Sequence, residues 1–362
     1  MRNYALKNEN AVYYECGYSC DNEIFLRLGD EAFFITDARY GIEAAERAKD
    51  VQIVVCADLI GEARKLLRAF GVRKLTVDPS DLSVSEFRAL SRDLSVEFDF
   101  RENFSQKKRI IKTPREVGLL RTAAKLGAQG FDALSNAINS NLNMGANDFE
   151  SVLNAALSVD SNLNRDLDEA RLNFLAENIL RKGGELALSF APITAINANA
   201  AKAHALPSNL KMTNGDLLLV DAGVKFERYC SDRTRTARVG EGFKFEKPQK
   251  FAEAKKQEVY EIVLEAQERA IAAVRPGVLA RDIDAAARDF IASRGFGEQF
   301  FHSTGHGVGL DIHELPRISR RDETVIKEGM VFSVEPGIYL EGEFGVRIED
   351  VVVVTAEGCE IL

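Results

Sequence analysis

The four histidines of the chain are the first residues whose type and spacing could do chemistry. They are His204, His302, His306 and His313, and the last three fall within twelve residues. A lone histidine is more often a core or surface residue than a ligand, but three in a glycine-rich segment favour a functional site.

Two aspartates lie in or next to strand-like segments in the middle of the chain. Residues 217–220 read Leu-Leu-Leu-Val and lead into Asp221, and Asp232 lies in the returning segment at residues 229–236. A tight turn centred between Phe226 and Glu227 would set Asp221 directly opposite Asp232, with Cβ atoms about 5 Å apart. We therefore expect a facing pair of carboxylates on this hairpin.

The same construction occurs near the C-terminus. An apolar segment ends in Glu335, a second one contains Glu349, and the two are joined around Gly342. A turn centred on Gly342 places Glu335 opposite Glu349. Two hairpins thus each present a pair of acids in an apolar strand context.

Facing carboxylates are costly unless a cation lies between them. Two like charges about 4 Å apart repel by about 4 kcal/mol at an effective dielectric of about 20. Ordinary edge-strand acids would avoid this arrangement, whereas bound divalent cations reverse its sign. Four carboxylates match the charge of two divalent ions, and one added imidazole gives an oxygen-rich ligand set. Such a set suits Mn, Co or Fe, then Zn, and is less natural for Mg or Ca.

Motifs of competing chemistries are absent from the sequence. His313-Glu314 is followed by Leu-Pro-Arg, so it does not form H-E-x-x-H, and no G-x-S-x-G or Walker loop occurs. Residues 305–309 lack the G-x-G-x-x-G spacing of a dinucleotide site.

The first hundred residues predict a compact α/β domain. Its Gly29-Asp30 pair is a two-residue hairpin signal. The predicted strands are residues 24–28, 32–36, 53–56 and 75–77, and the predicted helices are residues 38–48, 61–70 and 83–92. This part contains no histidine, so we expect no chemistry in it.

The rest of the chain predicts a pseudo-symmetric α+β domain, because the order helices-then-strands occurs twice. Thr113, Pro114 and Glu116 form a strong helix start. The other predicted helices are residues 147–158, 167–182 (closed by Gly183-Gly184), 248–274 and 280–294. A surface loop is expected at residues 158–165, and the site is expected between the two halves.

Bulk properties limit the function further. The chain has 362 residues, enough for two domains, and a net charge of −9, which disfavours nucleic acid or an anionic membrane as a partner. No apolar run long enough for a transmembrane helix and no secretory signal are seen. Five scattered cysteines indicate a reducing compartment, so a cytoplasmic location is expected.

Taken together, these motifs resemble the pita-bread metallopeptidases, in the branch of aminopeptidase P and prolidase that cleaves Xaa-Pro bonds. The resemblance rests on four segments: Asp221-x-Gly223 with residues 229–236, residues 302–314 around His306, Glu335-Pro336-Gly337, and Arg347-x-Glu349-Asp350. It implies a non-catalytic α/β domain at residues 1–108 and a pita-bread catalytic domain at residues 109–362. It also suggests a homodimer acting on short proline-containing peptides.

The resemblance implies particular roles for eleven residues. The metal ligands would be Asp221, Asp232, His306, Glu335 and Glu349. Arg347 would support them from behind, and Glu335 would also shuttle a proton. His313 would stabilise the oxyanion, His302 would hold the substrate, and His204 would contact its proline side. Arg317 and Tyr339 match positions near the substrate end.

Several alternatives stay open at this stage. Arg233 replaces a usually apolar residue, and the approach to His204 is loose, which leaves substrate preference undecided. A methionine aminopeptidase is disfavoured by the first domain. A metal-free creatinase-type hydrolase and a non-catalytic binding protein are disfavoured by the complete ligand set. Dipeptidase and aminopeptidase activity cannot be separated, because the direction of the Arg317 side chain is not readable from sequence.

Overall fold

The structure is a computed structural model that describes residues 3–143 and 167–362. The chain forms two compact units, Met1–Arg109 and Ile110–Leu362. Within the described residues, no helix combines the length and the apolar character needed to cross a membrane.

The first unit is a six-stranded mixed sheet with helices on both faces. Its strands are β1 (Asn3–Leu6), β2 (Glu23–Leu28), β3 (Glu31–Thr36), β4 (Gln52–Val55), β5 (Lys74–Val77) and β6 (Glu97–Phe100). Their spatial order in the sheet is β4, β3, β2, β1, β5 and β6. The helices are α1 (Glu9–Cys16), α2 (Gly41–Arg47), α3 (Leu59–Ala69), α4 (Val84–Ser91) and α5 (Phe104–Arg109).

Side-chain alternation along the strands builds the two cores of this unit. Leu26 packs with α3 and α4 on one face, whereas Phe25 packs with α1, α2 and α5 on the other. The predicted hairpin is confirmed, since Leu28 pairs with Glu31 across a turn in which Gly29 has a φ of 64°. The three predicted helices are confirmed as α2, α3 and α4 within a few residues at each end.

The first half of the second unit begins with two described helices, α6 (Pro114–Asn143) and α7 (Glu169–Leu180). The predicted start of α6 is confirmed, because Thr113 accepts from the Glu116 amide and donates to its carboxylate. Six strands follow: β7 (Ala187–Leu188), β8 (Ile193–Ile196), β9 (Leu217–Asp221), β10 (Val224–Phe226), β11 (Tyr229–Cys230) and β12 (Thr234–Arg238). The predicted helix at residues 147–158 and loop at 158–165 lie outside the described residues.

The second half repeats this order with α8 (Ala254–Ala273) and α9 (Ala280–Ser293). Helix α8 starts six residues later than the predicted 248, after a cis Lys247-Pro248 peptide. The strands are β13 (Gly305–Gly307), β14 (Glu314–Ile318), β15 (Val331–Val334), β16 (Gly337–Leu340), β17 (Phe344–Arg347), β18 (Asp350–Val354) and β19 (Cys359–Ile361). The predicted repetition of helices-then-strands is therefore present in the described residues.

Strand β9 lies between the cores of the two halves. Its Leu218 and Val220 pack into the core of α6 and α7, whereas Leu217 and Leu219 pack into the core of α8 and α9. Asp221 continues the second series, since alternate residues share a face. The Asp221 carboxylate therefore lies on the face of β9 that is directed towards the second half of this unit.

Candidate metal centre

The first acid pair is carried by strands β9 and β12. These strands are antiparallel, and the residue opposite Asp221 is Thr234. Asp232 lies two residues earlier, in the segment between β11 and β12. The predicted direct pairing of Asp221 with Asp232 is therefore wrong by two residues, although both carboxylates are buried.

The cause of this shift is the turn between β10 and β11. Phe226 pairs with Tyr229, so the two central residues are Glu227 and Arg228, with φ of 45° and 71°. Two positive φ values are typical of a type I′ hairpin turn, which residues other than Gly, Asn and Asp seldom adopt. The sequence Glu-Arg carried no signal for it, and the predicted turn was placed one residue too early.

The second acid pair has the predicted register. Val334 pairs with Asp350 on one side of the acids, and Gly337 pairs with Arg347 on the other. The β15–β18 and β16–β17 ladders have the same register, which is set by the turn at Gly342. In this register Glu335 lies opposite Glu349. This prediction is confirmed.

The two halves meet where the second hairpin is interrupted. Pro336 has no amide hydrogen to donate, so the ladder stops between β15 and β16. The Glu335 amide donates to the Thr304 carbonyl at 2.7 Å, and the Glu349 amide donates to the Thr234 carbonyl at 3.1 Å. The backbone of Glu349 is thereby tied to the residue opposite Asp221, which brings the two acid pairs together.

Three of the predicted ligands form one cluster. Single ligand atoms of Asp232, His306 and Glu349 all lie within 4.8 Å of one another. His306 Nε2 is 3.5 Å from Asp232 Oδ2 and 3.3 Å from Glu335 Oε1. His306 Nδ1 lies 3.1 Å from the Gly307 carbonyl, which can only accept. Burial acts to lower the pKa of His306, but the hydrogen bond and charge of Glu335 outweigh burial and raise it. In the neutral form, which a metal ligand must adopt, the ring holds its proton on Nδ1 and directs the Nε2 lone pair at the carboxylates.

The carboxylates repel one another in this cluster. Burial and repulsion from Glu349 and Asp221 raise the pKa of Asp232 well above its ordinary value. Burial and the charge of Glu335 do the same to the pKa of Glu349. Burial also raises the pKa of Asp221, although Arg347 opposes it. For Glu335 the hydrogen bond and charge of His306 outweigh burial, and its pKa falls to about 2.

The residues fit a divalent metal site on three grounds. Asp221 Oδ1 and Glu349 Oε1 are buried and accept no hydrogen bond from the described residues. Buried carboxylate oxygens without a hydrogen-bond donor are rare in proteins unless an ion or a water molecule satisfies them. Burial and mutual repulsion raise the pKa values of Asp221, Asp232 and Glu349, and a bound cation would relieve both. The donor set of carboxylates plus one imidazole suits borderline divalent ions. The residues able to hold the ions are Asp221, Asp232, His306, Glu335 and Glu349.

Arg347 supports this cluster from behind. Its Nη2 donates to Asp221 Oδ2 at 2.7 Å, its Nε to Thr234 Oγ1 at 3.0 Å, and its Nη1 to the Ala203 carbonyl at 3.0 Å. Thr234 Oγ1 in turn donates to Glu349 Oε2 at 2.7 Å. The bonds to Asp221 Oδ2 and Glu349 Oε2 leave the other oxygen of each carboxylate, Oδ1 and Oε1, free for a ligand.

We expect Arg347→Lys to weaken Mn²⁺ binding by about 10- to 100-fold, the usual cost of losing a group that orients a metal ligand. Lysine offers one point donor where the guanidinium serves Asp221, Thr234 and Ala203 together. Calorimetric titration of chelator-stripped protein with MnCl₂ measures the effect, and the exposed Arg321→Lys is the matched control. Unchanged affinity in Arg347→Lys would contradict this role.

His302 and Tyr339 form a second connection to Arg347. His302 Nδ1 lies 2.8 Å from the Ser303 carbonyl, and its Nε2 lies 2.8 Å from the Tyr339 hydroxyl. The same hydroxyl accepts from Arg347 Nη1 at 2.9 Å. Burial lowers the pKa of His302 and raises that of Tyr339 to about 12, so both are neutral. Tyr339 is buried and directed at protein groups, and a direct substrate contact by it stays a prediction.

The other predicted residues surround the cluster on its exposed side. The His313 ring lies 4.2 Å from the His306 ring, centroid to centroid, and is exposed. Burial, then the charges of His306 and His204, lower the pKa of His313. Arg317 is exposed and pairs with His306 across β13 and β14, which places the two side chains on one face of the sheet. The structure thus brings all eleven predicted residues into one region of the second unit.

Three supporting residues were missed by the sequence reasoning, although their motif was noticed. Thr234, Arg235 and Thr236 stand on the buried strand β12. Thr234 binds Glu349, Arg235 Nη1 donates to the Glu349 carbonyl, and Thr236 Oγ1 donates to the Arg347 carbonyl at 2.9 Å. The sequence signal that could have identified them is the run of polar residues in a strand that is otherwise expected to be buried. Buried polar groups must be hydrogen-bonded, so such a run indicates partners in a neighbouring segment.

Comparison with known proteins gives one family. The model of metallopeptidase family M24 matches residues 118–356. The Xaa-Pro dipeptidase of Pyrococcus furiosus is 32% identical over 354 residues, which cover 97% of this chain and 90% of that protein.

Solved structures agree with this match. The Xaa-Pro dipeptidase of Bacillus anthracis is 34% identical and superposes with a TM-score of 0.83, covering 99% of this chain and 92% of that one. The X-Pro aminopeptidase of Thermotoga maritima is 30% identical with a TM-score of 0.81, covering 100% and 95%. The two structures carry different activities at similar identity, so the comparison does not separate dipeptidase from aminopeptidase.

Proposed function

Because the chain belongs to metallopeptidase family M24, in its aminopeptidase P and prolidase branch and with its pita-bread fold, we propose that it is a dinuclear exopeptidase that hydrolyses Xaa-Pro bonds. The observation that carries this proposal is the cluster of Asp232, His306 and Glu349, flanked by the orphaned oxygens of Asp221 and Glu349. The relatives named as Xaa-Pro peptidases support the choice of bond.

Two divalent ions, with Mn best suited and Co, Fe or Zn as alternatives, would be held by the five predicted ligands. When bound, they supply an acidified water and a Lewis acid for the scissile carbonyl. Asp232 and Glu349 would contribute most to holding the ions, because each lies in the cluster with His306 and is repelled by a second acid.

The protein groups around the ions have distinct tasks. Glu335, whose carboxylate lies 3.3 Å from His306 Nε2 within the cluster, would take a proton and pass it to the leaving proline nitrogen. His313 is neutral and exposed, and it would donate a hydrogen bond to the developing oxyanion. His302, fixed by Ser303 and Tyr339, would hold the substrate, and His204 would contact its proline side.

Substrate length is the finer part of the proposal. Arg317 is an exposed cation on the same sheet face as His306, where it could bind the free carboxylate of a C-terminal proline. Phe301 is 64% exposed and its ring lies 5.1 Å from that of Tyr339, which offers an apolar surface for a proline ring. Phe301 thus favours proline in the substrate, whereas Arg317 favours Xaa-Pro dipeptides over longer peptides.

The proposal extends to the setting of the enzyme. The cysteines at positions 16, 20, 56, 230 and 359 are all free, in keeping with a cytoplasmic protein. The first unit has no histidine and is proposed to be non-catalytic, and a homodimer is proposed from the resemblance to prolidases. Nucleic acid and membranes are not proposed as partners.

The direct test is hydrolysis of Ala-Pro, Ala-Pro-Gly and Ala-Ala by the Mn²⁺-loaded protein. We expect kcat/KM for Ala-Pro to exceed that for Ala-Ala by about 10- to 200-fold, because a difference of a few apolar groups in a pocket is worth about 1–3 kcal/mol. Arg317→Met should raise KM for Ala-Pro and leave Ala-Pro-Gly unaffected. Equal rates on Ala-Pro and Ala-Ala would reject the Xaa-Pro assignment, and no effect of Arg317→Met would reject the dipeptide preference.

A further inference from the structure

Glu169 is a fully buried carboxylate outside the metal centre. It is the first residue of α7 and has no exposed surface. Its oxygens accept four hydrogen bonds from the described residues: Ile196 N at 2.6 Å, Asn199 Nδ2 at 2.7 Å, Ser208 N at 2.8 Å and Ser208 Oγ at 2.5 Å. All four donors are neutral groups on one stretch of chain, residues 196–208.

Only a carboxylate satisfies this set of donors. Oε1 serves the Ile196 amide, and Oε2 serves the Asn199 and Ser208 donors. A glutamine has one acceptor oxygen and one NH₂ group, so in either orientation it would point a donor at another donor. Because a buried unsatisfied group is far more costly than a made bond is favourable, the choice of glutamate here is specific.

The segment that Glu169 holds carries His204. It starts at the end of β8, includes the 3₁₀ turn Asn197–Ala201, and returns through Leu206, whose carbonyl accepts from Asn199 Nδ2 at 3.0 Å. We call residues 196–208 the His204 loop. The single carboxylate of Glu169 thus binds the loop near its start, at Ile196 and Asn199, and at its end, at Ser208.

The opposite side of the His204 loop packs against the second half of this unit. A Cβ on Gly345 would lie 1.9 Å from the Ala200 carbonyl, so strand β17 and the loop are in direct backbone contact. Arg347, which supports Asp221, also donates to the Ala203 carbonyl next to His204. The loop is therefore held between Glu169 on one side and the residues that support the metal ligands on the other.

We propose that Glu169 is a positioning residue that fixes the His204 loop, and with it His204, at the edge of the metal centre. The proposal rests on the proposed function, in which His204 contacts the proline side of the substrate. Glu169 touches neither substrate nor ligands, and it acts only through the loop. Its contribution is to keep the histidine in place before substrate arrives.

Glu169→Gln tests this role by two measurements. Amide hydrogen exchange of the metal-free protein should become faster within residues 196–208. In the Mn²⁺-loaded protein, kcat/KM for Ala-Pro should fall by about tenfold, the scale of one unsatisfied buried group. The matched control is Glu177→Gln on the same helix, since Glu177 accepts one side-chain bond, from Asn173 at 3.3 Å, and should show neither change.

A double-mutant cycle with His204→Ala separates positioning from general destabilisation. If Glu169 acts through His204, the double variant should be no slower than His204→Ala alone. Multiplied losses, or exchange unchanged from wild type in Glu169→Gln, would overturn the proposal. Should Glu169→Gln fail to fold, Ser208→Ala removes one donor and must show the same pattern at a smaller scale. If wild type cleaves no Xaa-Pro peptide, the proposed function fails, while the exchange measurement still decides whether Glu169 fixes the loop.

Discussion

Replacing His306 with alanine is expected to lower kcat on an Xaa-Pro dipeptide by about 10³-fold or more, the scale of losing a central catalytic group. His306 is the only nitrogen ligand among the predicted five, and its Nε2 faces both Asp232 and Glu335. Without the ring, four carboxylates remain with less charge compensation, and the pKa of Glu335 would rise because His306 is what lowers it.

The measurement combines turnover with metal content. Purified His306→Ala, loaded with Mn²⁺ and desalted, should retain less metal than wild type and should keep the wild-type far-UV circular dichroism. Arg321→Lys serves as the control for handling, since its side chain is exposed and remote from the five ligands in sequence. Wild-type turnover in His306→Ala would show that the wrong histidine has been assigned.

Replacing Asp232 with asparagine should have opposite effects on activity and on the stability of the metal-free protein. Activity should fall to background, because a neutral amide is a poor ligand for a divalent ion. The metal-free variant should be more stable than metal-free wild type at neutral pH, because the buried carboxylate is repelled by Glu349 and Asp221. Each unit by which the pKa of Asp232 is raised corresponds to about 1.4 kcal/mol of that repulsion and burial.

The pH dependence follows from the direction of the shift. An acid whose pKa is raised on folding binds its proton more tightly in the folded state, so stability is lost as pH rises from the ordinary pKa of about 3.9 through the raised value. The advantage of Asp232→Asn should therefore be greatest at pH 7–8 and should shrink as pH falls. At about 2–4 °C per kcal/mol for a unit of this size, thermal unfolding in EDTA resolves it.

With saturating Mn²⁺, wild type should become more stable than Asp232→Asn, the reverse of the order expected for the metal-free proteins. Wild type gains stability from the ions in proportion to the logarithm of their concentration, whereas Asp232→Asn gains little. Glu177→Gln on α7 is the control for replacing a carboxylate by a carboxamide away from the metal centre, since Glu177 interacts with Asn173 on its own helix. A metal-free Asp232→Asn that unfolds at the same temperature as wild type, or lower, would contradict the picture of mutually repelling carboxylates.

Much of the fold was predictable because local signals agreed with it. The Gly29-Asp30 turn, the Thr113 capping box and the turn at Gly342 are each decided by a few neighbouring residues, and each is confirmed. Helix α1 was missed although Asn8 caps its start and Gly17 its end. Its buried residues belong to the core beneath the sheet, so tertiary packing stabilises a segment with weak periodicity of its own.

The site was predictable in composition but only partly in geometry. The second acid pair followed from a glycine at the centre of its turn, whereas the first was misplaced by two residues because Glu227 and Arg228 adopt positive φ without a sequence signal. Contacts between distant segments could not be read at all. Thr234 with Glu349, Arg347 with Asp221, and Glu169 with Ser208 join residues 115, 126 and 39 positions apart.

The measurement that bears most directly on the central claim is a crystal structure of the Mn²⁺-loaded protein with anomalous diffraction data. We predict two anomalous peaks per chain, both coordinated by oxygens of Asp221, Asp232, Glu335 or Glu349, and one also by His306 Nε2. No peak among these side chains, or metal bound elsewhere while the enzyme cleaves an Xaa-Pro peptide, would contradict the account.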